Sequence, residues 1–376
     1  LGGAVERYSS AGDVLASVAF ANLSRIAQNQ VILLQPQRIM RRPVPIKSTM
    51  KEISGHVFNF ESENVPWKAL DIWLRKQQIS QYSEGNDLLL IDGPAGVGKT
   101  TIVREAALLR AESYDGTAPL ILQIASRGRV LQNITDLIAF SLQDVRSNLT
   151  VGQLMPLMRH GLITLAIDGF DELSDPSGFE TAWSGLNNLV GEARGRATFL
   201  LAGRETFVST DTILRQLKSF DNTRDRLSAL SLEDPTPEAA RSWLLEQQGW
   251  TTELLGRKFV EPIFAPGSYA LRPFFLDVIA REPAALTSDE PPASDLLGYL
   301  VDVMTRREAE KFVEKLDPPD GAGASTIYKE YVGRFLEEVA RDLAENQSEA
   351  IAEEALDLLA TVAAYGILPE DQVTAV

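Results

Sequence analysis

Leu88-Leu89-Leu90-Ile91-Asp92 runs straight into Gly93-Pro94-Ala95-Gly96-Val97-Gly98-Lys99-Thr100-Thr101, and this junction leaves the chain few folds to choose from. The apolar run predicts a buried strand, and Ile102 to Leu109 beyond has helical spacing and good helix formers. Between them, Gly93-x-x-x-x-Gly98-Lys99-Thr100 matches the phosphate-binding loop pattern. Glycines let backbone N–H groups turn inward around an anion, and the helix start adds the positive end of its dipole. Residues Gly93 to Thr101 are therefore candidate nucleotide contacts. Lys99 offers a point charge to the β- and γ-phosphates, and Thr100 a hydroxyl to Mg²⁺.

A second acidic motif supports the first. Leu162-Ile163-Thr164-Leu165-Ala166-Ile167-Asp168 is apolar on both faces, which predicts a central parallel strand, and it ends in Asp168-Gly169-Phe170-Asp171-Glu172. An Asp closing such a strand is the expected Mg²⁺ partner, directly or through water. Its desolvated charge is tolerable only beside a cation or hydrogen-bond donors. Asp171 or Glu172 can polarise or orient the water that attacks a γ-phosphate.

Three further strands are expected. Pro119 to Ala125 is followed by Ser126-Arg127-Gly128-Arg129; arginines at a strand's carboxyl end sit where an open α/β sheet has its ligand crevice. Arg127 can reach phosphates there, or serve as a surface-loop residue. Ala197 to Glu205 carries Arg204 at its end, a cation placed to sense a γ-phosphate, and Arg226 to Leu232 is the fifth strand. Helices are expected between the strands, around Thr135–Gln143, Gln153–Arg159 and Gly178–Ala193. Five strands alternating with helices predict a parallel, helix-covered α/β sheet.

Composition narrows the chemistry. The 376 residues, 44% hydrophobic, suffice for two or three domains with real cores. There is no cysteine, which excludes disulfides and thiolate metal sites, and the only histidines, His56 and His160, lie far apart in sequence, which disfavours a His-based zinc site. The expected metal is a hard cation on oxygen ligands, carried with a nucleotide. No apolar run is long enough to span a membrane and no signal-peptide pattern opens the chain, which fits a cytoplasmic setting. Leu1 in place of Met reads as a piece of something longer. Net charge is −16, and residues 281–376 hold −13 of it, with 21 acidic against 8 basic residues. A nucleic-acid surface there is disfavoured. The basic cluster Arg38, Arg41, Arg42, Lys47 and Lys51, broken by Pro43 and Pro45, reads as solvated linker, with contact to phosphates as the alternative.

Elsewhere, Asp13 to Gln30 reads as one amphipathic helix, and Trp67, Leu70, Trp73 and Leu74 recur at helical spacing within Val65–Gln78. At Asp234-Pro235-Thr236-Pro237-Glu238 the pattern turns helical: Thr236 can cap a helix with Pro237 at its first position. Helices are expected at Leu254–Val260, Phe274–Ala280, Ser294–Lys315, Thr326–Glu345 and Glu349–Tyr365. The boundaries that follow are 1–60 for an N-terminal helix and linker, read also as the tail of an upstream effector, and 61–232 for the phosphate-loop domain. A small helical domain is expected at 233–290 and a further domain at 291–376.

The order of these pieces resembles the NACHT family of signal-transduction NTPases within the STAND class. Asp168-Gly169-Phe170-Asp171-Glu172 looks like that family's Walker B, and Leu201-Ala202-Gly203-Arg204 like its sensor arginine strand. Leu271-Arg272-Pro273-Phe274-Phe275-Leu276 is similar to the motif whose proline ring, here Pro273, packs near the adenine. The resemblance covers about residues 85–376. It implies a three-layer core with the sensor strand between the two Walker strands, a small helical domain, and a winged-helix-like domain that is incomplete here. It also implies slow Mg²⁺-dependent hydrolysis of ATP, with a closed ADP-bound state and an ATP-bound state that self-associates into an oligomer. Effector and sensor would lie outside this chain, in innate or antiviral defence. The preference for ATP over GTP comes from the resemblance alone. One departure stands out: the family commonly places a winged-helix histidine on the ADP β-phosphate, and no histidine follows His160. The alternative reading is an AAA+ type ATPase that remodels or loads on protein or nucleic acid, although Asp-Gly-Phe-Asp-Glu departs from the plain Asp-Glu ending of those enzymes. A small-molecule kinase or metabolic NTPase on the same fold is a third, against which the long helical C-terminal half speaks.

Overall fold

The computed structural model describes residues 8–37, 43–53, 60–62, 70–71, 73–74, 85–125, 133–170, 180–193, 197–204, 210–221, 223–281, 283, 296–315, 324–346 and 353–368. Its centre is a seven-stranded sheet built from β1 (Lys47–Glu52), β2 (Phe60–Ser62), β3 (Asp87–Asp92), β4 (Leu120–Ala125), β5 (Ile163–Asp168), β6 (Thr198–Ala202) and β7 (Arg226–Glu233), in the order β2-β1-β7-β3-β6-β5-β4. Strands β3 to β7 all run parallel. β1 adds to β7 antiparallel, and β2 to β1.

Alternating residues of the parallel strands feed two separate cores, one on each face. Leu88, Leu90, Leu122, Leu165, Phe199 and Leu201 point into one, with the helices Ile134–Asp144 and Val151–Arg159. Leu89, Ile91, Ile121, Ala166, Leu200 and Ala202 point into the other, against Ile102, Val103 and Ala106 of the helix Lys99–Glu112. Burial on both faces explains why these strands read as unbroken apolar runs, and the result is three layers.

The stretch expected as linker holds a surprise, since β1 comes from it. In Lys-Ser-Thr-Met-Lys-Glu only Met50 is apolar, yet Ser48 and Met50 are buried while Lys47 and Lys51 face outward. One apolar residue in six is too weak a period-two signal to read. The single helix expected at Asp13–Gln30 is two, Ala11–Ala16 and Leu23–Leu34. Ser17 closes the first, its hydroxyl donating to Val14 O at 2.7 Å. Asn22, at φ 48°, opens the second by accepting from the Arg25 N–H at 3.3 Å; Asn tolerates that left-handed conformation better than most residues. The second helix packs on the phosphate-loop helix, where buried Gln30 Nε2 donates to Ala107 O at 3.1 Å and Ile121 O at 2.8 Å.

Thr236 caps Pro237–Leu245 as expected, its hydroxyl accepting from the Ala239 N–H at 3.2 Å. Of the helix expected at Val65–Gln78, the described Leu70, Trp73 and Leu74 are buried in the phosphate-loop-helix core. By compactness residues 1–248 and 266–281 form one unit, and residues 249–265 and 282–376 another. In the second unit the long helices are Leu296–Lys315, Ala324–Asn346 and Glu353–Ala364, joined by Tyr328, Tyr331, Val332, Ala363 and Ala364. Among the described residues no strand follows Glu233, so the winged-helix expectation meets helices alone there. No described helix is long and apolar enough to cross a membrane.

Candidate nucleotide site

β3 delivers the chain to the loop with its side chains fully packed, Leu89 to Ile91 all at zero exposure. Gly93 then takes φ 148°, and a Cβ there would lie 2.7 Å from Leu232 O of β7. Only glycine fits so close an approach. Val97 is wholly buried and pins the loop. Gly98, at φ 102°, opens the helix Lys99–Glu112 with no side-chain cap, whereas Asn133, Thr150 and Thr236 cap the helices they precede. A helix start without a cap presents backbone N–H groups and the positive dipole end to the loop, a setting for an anion. Lys99 Nζ folds over that loop and donates to Gly93 O at 2.8 Å and Pro94 O at 3.0 Å.

Pairing of β6 with both β3 and β5 brings the two acidic and glycine motifs to the same edge. Ile91 and Asp168 both register against Ala202. There Thr100 Oγ1 donates to Asp168 Oδ1 at 3.0 Å. Gln123 of β4 donates from Nε2 to Asp168 Oδ2 at 3.0 Å, a contact that sequence reading missed. The signal for it was a lone polar residue within Leu120 to Ala125. Asp168 and Gln123 are buried, at 4% and 6% exposure. A hydroxyl beside a carboxylate at the foot of a phosphate loop is the oxygen donor set of Mg²⁺, which takes one or two carboxylates and leaves the rest to phosphates and water. The residues fit the ion and the nucleotide. Among the described residues no group of three or more acidic or histidine side chains makes an alternative metal site.

Arg204 follows Gly203, whose N–H donates to Ile91 O at 3.2 Å, so it stands at the carboxyl end of β6 between the two motifs with its side chain exposed. The motif at 271–276 reaches the loop as well. Pro273 begins the helix Pro273–Arg281, and the next N–H, of Phe274, donates to Gly96 O at 3.3 Å. Arg272 beside it lies over the Tyr269 ring at 4.5 Å and 3.9 Å from Asp234 Oδ2. Burial pushes the Asp234 carboxyl up, and the Arg272 charge opposes that. Asp171, Glu172 and Arg127 lie outside the described residues.

No protein-family model matches the chain, and no curated protein matches it by sequence. Solved structures do. The Aeropyrum pernix ORC1 protein in complex with DNA is 16% identical at TM-score 0.41, over 78% of this chain and 82% of that one. The Aeropyrum pernix ORC2 protein in ADPNP–ADP complexes is 12% identical at TM-score 0.39, over 82% of each chain. Domain III of the Thermotoga maritima replication initiation protein DnaA is 16% identical at TM-score 0.36, over 60% of this chain and 87% of that one. At such identities and scores no activity or residue role is carried over from them. The resemblance to the NACHT family gains no support from these comparisons. The strand order, the glycine loop and the Thr100–Asp168 pair together give the chain the core of a P-loop NTPase.

Proposed function

We propose that this chain binds and hydrolyses ATP with Mg²⁺, and that nucleotide state is transmitted through the segment Arg272-Pro273-Phe274. The observation that carries the proposal is the hydrogen bond between Thr100 of the loop and Asp168 of β5. In this reading the backbone N–H groups between Ala95 and Thr101 and the Lys99 ammonium hold the phosphates, and Thr100 and Asp168 hold the ion. Bound there, Mg²⁺ would neutralise charge on the β- and γ-phosphate oxygens. Asp171 or Glu172 orients the attacking water, and Arg204 answers the charge that develops on the γ-phosphate. Lys99 exchanges its bonds to Gly93 O and Pro94 O for phosphate oxygens.

The seated motif supplies a route outward. The Phe274 N–H on Gly96 O ties the first turn of its helix to the loop that would change shape with phosphate content. A switch of this kind needs each nucleotide to favour a different arrangement through different contacts. Both regulatory readings share that requirement, so the proposal is made at their common level and extends neither to innate defence nor to a particular effector. Molecular mass measured with ADP and with a non-hydrolysable ATP analogue tests the switch, and turnover measured against protein concentration separates the branches. Mass that rises with the analogue and slow turnover support the NACHT branch. Turnover that climbs with assembly, and responds to DNA or a protein substrate, supports the AAA+ branch. Constant mass and turnover removes the switch and leaves a metabolic NTPase.

A further inference from the structure

Gln123 is the odd residue of β4. It lies between Leu122 and Ile124, both at zero exposure, in the middle of a strand paired to β5 along its whole length. Its side chain shares the sheet face of Ile121 and Ala166, where the phosphate-loop helix packs. A buried amide is costly without partners, and an apolar residue of the same size would serve that core better. The partner it has is the carboxylate at the end of the next strand. Gln123 registers opposite the small Ala166, and Ala125 opposite Asp168, so the amide reaches diagonally, two residues along β5 on the same face, to Oδ2 at 3.0 Å. An ionised carboxylate only accepts, so the amide must present its nitrogen. Asp168 is thus gripped from two elements: Gln123 holds Oδ2 and Thr100 holds Oδ1.

We infer that Gln123 is a positioning residue for the metal-binding aspartate, fixing the Asp168 carboxylate so that Oδ1 stays turned to Thr100 and to the ion. The inference rests on the Mg²⁺–nucleotide reading of the site given above. Partners of this kind, one step behind a metal ligand, orient it and tune its affinity, and their loss typically weakens metal binding by about ten- to a hundredfold. Gln123 touches neither phosphate nor water in this role, so its effect must appear in the metal-dependent part of binding and not in the part that the loop supplies alone.

The test measures ADP affinity of the full chain in Mg²⁺ and in EDTA, for the unsubstituted protein, Gln123→Leu and Gln123→Met, with thermal midpoints for each. The expected result is ADP affinity in EDTA within about twofold of the unsubstituted protein, with the gain on adding Mg²⁺ cut by about tenfold or more. Gln123→Met, whose flexible side chain fills the same space, keeps the measurement available should the branched leucine unfold the strand. Equal weakening with and without Mg²⁺ would assign Gln123 a merely structural part and overturn the inference. An undiminished Mg²⁺ gain would overturn it too, leaving the nucleotide reading intact. No ADP binding by the unsubstituted protein would remove both.

Discussion

Thr100 and Asp168 stand 68 positions apart in the chain, yet the threonine hydroxyl donates to the aspartate carboxylate at 3.0 Å. Two strands of one sheet with a third between them achieve this, since β3 and β5 end level against Ala202 of β6. Removal of the hydroxyl should affect the ion first. Thr100→Ala is expected to leave ADP affinity in EDTA nearly unchanged and to lower the Mg²⁺-dependent gain by about tenfold, the worth of one charge-assisted hydrogen bond. Calorimetric titration in the two conditions reads this directly. Loss of affinity in both would show that Thr100 holds the loop and not the metal.

Lys99 makes a different prediction. Its ammonium rests on Gly93 O and Pro94 O at 2.8 and 3.0 Å, so the unliganded loop already satisfies it. Lys99→Ala removes both bonds, so it should lower the thermal midpoint modestly and cost far more in nucleotide. Two charge-assisted bonds to phosphate at about 1.5 kcal/mol or more each amount to two orders of magnitude in affinity. Nucleotide content of the purified variant, set beside its melting curve, decides; unchanged content would remove the core of the proposal.

For Asp171 and Glu172 the expectation concerns rate. Asp171→Ala or Glu172→Ala should slow hydrolysis by about 10²-fold or more, the usual worth of a positioned acid or base, while ADP affinity stays within about threefold. Single-turnover hydrolysis alongside equilibrium binding separates the two. A variant that loses affinity as much as rate would move that residue from water to nucleotide.

What could be read in the sequence follows from how strongly each part is buried. β3, β5 and β6 are covered on both faces and so spell themselves out as apolar runs, and the residues that follow them, from Gly93 to Thr101 and at Arg204, come to one edge with Asp168. β1 was illegible because it lies toward the sheet's edge and, among its described side chains, buries Ser48 and Met50. Gln123 went unread for a different reason: a lone amide inside an apolar run marks the position but not its partner, a carboxylate 45 positions away. Asn22 broke an expected helix through a backbone conformation that no periodicity records. Chemistry announced by a contiguous motif can be read even when strand register completes it, as at Thr100 and Asp168, whereas a lone side chain such as Gln123 gains its meaning only from the register.

Asp221, far from the site, gives a dependence on acid. Its Oδ1 accepts from the Thr223 hydroxyl at 2.6 Å and the Thr223 N–H at 3.0 Å, and its Oδ2 from Arg224 Nε at 2.8 Å. Those bonds, the Thr223 hydroxyl first, hold the carboxyl down at about 2 from its usual 3.8. The folded form therefore prefers the carboxylate more than the unfolded chain does. The turn's contribution is complete above pH 3.8 and is lost as pH falls through about 2. Asp221→Asn should lower the midpoint at neutral pH and flatten its fall over that acid window. Thermal midpoints across the window check both, and parallel curves for the two proteins would refute the assignment.

Gly93 and Gly116 both have positive φ, at 148° and 83°, but their surroundings differ. At Gly116 a Cβ meets nothing within 4 Å, so alanine there adds backbone strain alone. At Gly93 the added atom lies 2.7 Å from Leu232 O and 3.1 Å from Val97 Cγ1. The oxygen is backbone on β7, next to β3, and no rotamer change relieves that contact. Either the loop or the strand must shift, and a shifted loop no longer presents its N–H groups to one point. Strain of about 1–3 kcal/mol is expected at each position, which lowers the thermal midpoint. Gly93→Ala should fall further than Gly116→Ala and lose ADP affinity as well, while Gly116→Ala keeps it. Should the two variants melt alike and bind alike, the glycine at the foot of the loop would be there for something other than the close approach to β7.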